Sequence, residues 1–143
     1  MPELERMPGY IFFRPLEGGA YLGIGAHSID LPSIYTENKD RLGNLLAAGR
    51  KLAVEQYSND KELKSLGFKL LESNMTTLDG NPAYKLDYLT KSESELQRIT
   101  EVVSVKDGMR YEIIFSSVVD EYNHYTPTFQ KMINSINITT PMY

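Results

Sequence analysis

His124 follows Asp120 by four residues and Glu121 by three. On a helical turn, residues four apart share a face, so a carboxylate and an imidazole there could ligate one divalent ion. Asp120, Glu121 and His124 are therefore the candidate metal ligands, for calcium, manganese or zinc. His27 and Asp30 are the only other pairing with a histidine that could contribute. The simpler reading is a solvated acidic helix entry, and it is favoured because no second cluster at ligand spacing supports an ion. His27 reads as an exposed strand-end side chain.

Catalytic chemistry finds less. The chain has no Cys, which removes thiolate catalysis, disulfides and Cys-based zinc sites. It has no Gly-x-Ser-x-Gly elbow, Walker loop or Gly-x-Gly-x-x-Gly fingerprint. Gly18-Gly19 and Gly23-x-Gly25 lack the following helix N-terminus that phosphate binding needs. Acid–base work would fall to carboxylates, and Glu93, Glu95 and Glu101 read as residues solvating a charged loop. The chain is therefore expected not to be an enzyme, with no catalytic residues and no resident cofactor beyond the metal named above.

The elements that would position these residues follow from patterning. The 143 residues, 41% hydrophobic and 24% charged, fit one soluble domain with a single core. The net charge of -4 and the scattered Lys and Arg exclude a nucleic-acid surface. No apolar run approaches the roughly 20 residues of a membrane span. No signal peptide is legible in Met1–Gly9. Asn74-Met75-Thr76 and Asn137-Ile138-Thr139 are sequons, of weight only if the chain is exported.

Tyr10–Arg14 and Ala20–Ile29 read as a hairpin, with Ala20, Leu22, Ile24 and Ala26 inward. Asn38–Tyr57 reads as a helix whose stripe is Leu42, Leu45, Leu46, Gly49, Leu52 and Ala53. Lys61–Leu66 adds a turn. Strands follow at Phe68–Asn74, Ala83–Thr90, Leu96–Lys106 and from Met109, with hairpin turns at Asp79-Gly80 and Asp107-Gly108. Tyr84, Leu86 and Tyr88 share one face, as do Met109, Tyr111, Ile113 and Phe115. Val118–Tyr125 should leave the sheet, with Thr126 capping the last helix and Pro127 at its first position. An apolar row nevertheless extends back through Tyr125 to Tyr122. The fold class is α+β: an α-β-α sandwich on a mostly antiparallel sheet of about six strands, one helix after the second strand and one at the C-terminus.

Three stretches carry a resemblance: Gly80-Asn81-Pro82-Ala83-Tyr84, then Asp107-Gly108-Met109-Arg110-Tyr111, then Tyr122-Asn123-His124-Tyr125 through Ser135-Ile136. They resemble the PsbP-like domain, in particular PsbP-related proteins of ammonia-oxidising archaea. Its relatives include the extrinsic subunit of photosystem II and the Ran-binding Mog family. The resemblance covers about the last half of the chain and implies a non-enzymatic binding or assembly module, exported and displayed at the cell surface. A protein partner is implied, with no nucleic acid. The Trp-containing opening segment usual in the family has no counterpart here, since the chain has no Trp. An early strand would then be missing, leaving a sheet edge free for a partner or a homodimer. A divalent-metal-binding protein is one alternative. A small-ligand carrier, with space at Gly23, Gly25 and Gly49, is another.

Overall fold

Two Asp-Gly turns set the frame of the sheet. Asp79 and Gly80 have φ of 50° and 74°, and Asp107 and Gly108 have 50° and 76°. Two-residue turns with both residues at positive φ match the twist of paired strands, so each closes a tight hairpin. The computed structural model describes residues 6–7, 10–13, 20–36, 38–92 and 95–136. Among them are strands β1 (Arg6–Met7), β2 (Tyr10–Phe13), β3 (Tyr21–Ser28), β4 (Lys69–Leu78), β5 (Asn81–Ser92), β6 (Glu95–Lys106) and β7 (Met109–Val118). They form one sheet in the order β1-β2-β3-β7-β6-β5-β4, antiparallel at every step. The sheet thus has seven strands where about six were expected, because the two-residue β1 is too short to leave a periodic pattern. Strands β4 and β5 run four and two residues further than their alternation indicates, as far as the rigid turn between them. Arg14 and Glu93 lie outside the described residues.

The helices are α1 (Ser33–Thr36), α2 (Lys39–Asn59), α3 (Lys61–Ser65) and α4 (Val119–Ser135). Asn38 caps α2 by accepting from the backbone N–H of Asp40 at 3.0 Å and of Arg41 at 3.2 Å. Asp60 does the same for α3, accepting from Leu63 at 2.9 Å.

The two long helices cover opposite faces. Leu42 and Leu46 of α2 pack on Tyr84, Leu86, Tyr88 and Val103. Tyr122 and Phe129 of α4 pack on Val102, Ile113 and Phe115. Phe129 stacks on Phe115 with centroids 4.4 Å apart. This is the expected sandwich. Two details differ. Leu52 is 55% exposed, because α2 rests on its Leu42–Leu46–Ala53 line and Leu52 sits a quarter turn off it. Helix α4 begins seven residues before Thr126, so Pro127 lies inside it. The missing Pro127 N–H leaves the Asn123 carbonyl without its helical donor, but Asn123 is exposed and water can serve. The Thr126 hydroxyl does not cap; it donates to the Tyr122 carbonyl at 2.8 Å. Burial of Tyr122 against Phe115 holds the first turn in place.

Candidate docking site

The expected metal ligands do not converge. Asp120, Glu121 and His124 are all exposed on the first turns of α4, and the His124 ring packs edge-on against Tyr125. His27 pairs with Arg110 at one end of β7, whereas α4 leaves β7 after Val118 at the other. Eight residues of strand at about 3.3 Å each set these ends roughly 26 Å apart, so His27 and Asp30 cannot join the α4 group. Among the described residues, no three His, Asp or Glu side chains are grouped to hold an ion. Carboxylates in the first turn of a helix interact favourably with its positive end, which accounts for Asp120 and Glu121 without a ligand.

The internal carboxylates are tied down. Tyr57 from α2 donates to one oxygen of Glu101 at 2.9 Å, and Tyr88 donates to the other at 2.7 Å. Glu101 is thus part of the α2–sheet interface and not a residue solvating a loop. Burial pushes its pKa up; the two phenols pull it down, and the nearby Glu112 charge adds to the rise. Both phenols are held well above their ordinary range, first by burial and then by the Glu101 charge. On the opposite face Asp87 is 1% exposed and takes a two-pronged bond from Arg98, Nε to Oδ1 at 3.0 Å and Nη2 to Oδ2 at 2.7 Å. The Arg98 guanidinium lies over the Tyr122 ring, 4.1 Å from its centroid, and the Tyr122 hydroxyl shares a hydrogen bond with Thr100 at 2.6 Å. Glu112 pairs with Arg110.

What remains open among the described strands is the two sheet edges, the two-residue β1 and the ten-residue β4, and only β4 is long enough to pair with a further strand. Among the described strands, none pairs with the outer side of β4. Leu78 and Asn81 flank the two-residue turn and so exchange both backbone bonds. The alternation then directs Asn74 and Thr76 toward β5, while Ser73, Met75 and Thr77 present N–H and C=O outward. Leu71 and Met75 are exposed along this edge, at 42% and 40%. Two features blunt its first half. The register shifts between Leu70 and Glu72, a bulge at Leu71. The Arg50 Nη1 donates to the Ser73 hydroxyl at 2.7 Å and to its carbonyl at 3.4 Å. The second half, Asn74–Leu78, carries neither.

The PsbP family model matches residues 33–138, well over half of the chain. The chain belongs to the PsbP family. No curated protein matches this PsbP-family sequence. Solved structures similar to it include PA94, a Pseudomonas aeruginosa protein of unknown function, with a TM-score of 0.68 and 17% identity. That match covers 99% of this chain and 90% of PA94. LpqN of Mycobacterium tuberculosis, described as involved in cell envelope biogenesis, has a TM-score of 0.54 and 16% identity over 96% of this chain and 83% of LpqN. Cyanobacterial PsbP from Synechocystis has a TM-score of 0.52 and 15% identity over 95% of this chain and 85% of the other. At such identities these neighbours share the fold alone.

Two features of this PsbP-family chain had a signal in the sequence that the charge reading masked. Glu101 alternates with Ile99, Val103 and Val105, which places it on a core face. Asp87 alternates with Ala83 on the face that α4 covers. The Arg50 contact has no comparable signal, since it depends on where α2 crosses the sheet.

Proposed function

We propose that this chain is a non-enzymatic docking module that takes an extended segment of a protein partner as an added strand along β4. The outward backbone groups of Met75 and Thr77, beside the exposed Met75 side chain, carry the reading. A partner strand gains backbone hydrogen bonds there without displacing any contact described above. The internal carboxylates do not support catalysis, because Glu101, Asp87 and Glu112 are each bound to a phenol or a guanidinium. The family and the likeness to LpqN support a place outside the cytoplasm, at the cell surface, as part of the same proposal. No described helix is long and apolar enough to cross a membrane.

The test is selection of peptides from a random displayed library on the immobilised chain, followed by affinity measurement against Met75→Pro. Proline there removes an outward N–H and leaves the β4–β5 bonds intact. Enriched β-prone peptides that lose at least about tenfold in affinity are expected. Peptides indifferent to Met75→Pro contradict docking at this edge. Sedimentation equilibrium separates the rival occupant, a second copy of this chain.

A further inference from the structure

A cavity of about 210 Å³ lies at the N-terminal end of α2. Its apolar walls are Leu31, Leu42 and Val105, with the Tyr35 ring beside them. It is not the space expected at Gly23, Gly25 and Gly49. Helix α2 packs chiefly on β4, β5 and β6, and a Cβ on Gly49 would already stand 3.9 Å from Tyr84. The wall is held by short backbone bonds, Ile29 N–H to the Gly108 carbonyl at 2.8 Å and Tyr35 N–H to the Pro32 carbonyl at 3.0 Å.

The size and charge of the cavity select its occupant. An apolar cavity of about 150 Å³ holds a benzene ring, so this one has room for a ring and a small polar group. At its margin stand Lys39 and Lys106, against one carboxylate, Asp107. Lys39 makes a long 3.4 Å bond to the Gly80 carbonyl and can swing to a better acceptor. The amides of Asp40 and Arg41 are already taken by Asn38, so the positive charge comes from the side chains. We propose that the cavity binds a small organic acid, its aromatic ring or short aliphatic body against Leu31, Leu42 and Val105 and its carboxylate on Lys39. This stands independently of docking at β4.

The test is titration of the full isotopically labelled chain with phenylacetate, followed by amide NMR shifts, with benzylamine as the cationic counterpart. Saturable shifts at Leu31, Leu42 and Val105 are expected, with a dissociation constant of about 1 mM or tighter. Lys39→Glu should weaken binding at least about fivefold. Val105→Phe should abolish it by filling the space, and the spectrum itself reports whether that variant is folded. If it is not, the exposed Lys39→Glu decides. Absence of saturable shifts, equal binding of benzylamine, an affinity unmoved by Lys39→Glu, or binding retained in folded Val105→Phe would each overturn the proposal.

Discussion

Tyr57 and Glu101 join α2 to the middle of the sheet, phenol to carboxylate at 2.9 Å, with Tyr88 on the second oxygen at 2.7 Å. A carboxylate there has traded water for two phenol donors and no direct cation. The stability of the α2 face should therefore depend on pH. Burial raises the folded-state pKa of Glu101 above its unfolded value of about 4.3. A raised carboxylate pKa means that its favourable contribution is complete below the unfolded pKa and is lost as pH rises through the folded one. Relative to Glu101→Gln, the wild-type chain should lose stability as pH rises across the carboxylate range. Urea unfolding of both proteins at a series of pH values checks this, and a difference that does not change with pH contradicts it.

Removing one phenol should be costly without abolishing folding. Tyr57→Phe deletes a hydrogen bond to a charged acceptor and keeps the ring against Phe68 and Tyr88. The expected loss is about 1.5–3 kcal/mol in urea unfolding above the Glu101 titration. The loss should shrink at low pH, where the carboxyl group is neutral.

On the other face, Arg98→Met strands a carboxylate that is 1% exposed, and a loss of about 3 kcal/mol or more is expected. Asp87→Leu combined with Arg98→Met removes both charges and should recover much of that loss. A double variant as damaged as the sum of the singles would show that the pair acts independently.

Phe129→Ala removes the ring stacked on Phe115 beneath α4, at a cost of about 3–5 kcal/mol in thermal or urea unfolding. A loss below about 1 kcal/mol would mean that α4 contributes little to the core.

Much of this architecture is legible in residue order, and the reasons are local. Asp79-Gly80 and Asp107-Gly108 declare their hairpins because only certain residues accept positive φ. Alternation in β5 and β7 places Tyr84 and Ile113 on their correct faces. Pro127 misleads, since a helix-opening residue is tolerated mid-helix once Tyr122 is buried upstream of it. The candidate metal ligands are only partly legible. Asp120 and His124 are correctly one turn apart, but His27 is brought to the far end of β3 by a register that no local pattern reveals. The early strand expected to be missing is occupied by β1 and β2, so among the described strands the outer sides of β1 and β4 are both unpaired, and β4 is the longer of the two.

Metal ions supply a further check. With Asp120, Glu121 and His124 exposed and, among the described residues, not grouped to hold an ion, EDTA, calcium, manganese and zinc should each leave the unfolding temperature unchanged. Saturation at about 100 times a dissociation constant would add roughly 2.7 kcal/mol, or several degrees, so a real site would be visible.

Docking at β4 is tested most directly by amide hydrogen exchange, with and without a peptide selected on the chain. The account predicts slowed exchange at the outward amides of Met75 and Thr77, with the inward amides of Asn74 and Thr76 already protected in the free protein. Protection confined to the helices, or to the β1 and β2 side of the sheet, with Met75 and Thr77 unchanged, would contradict it.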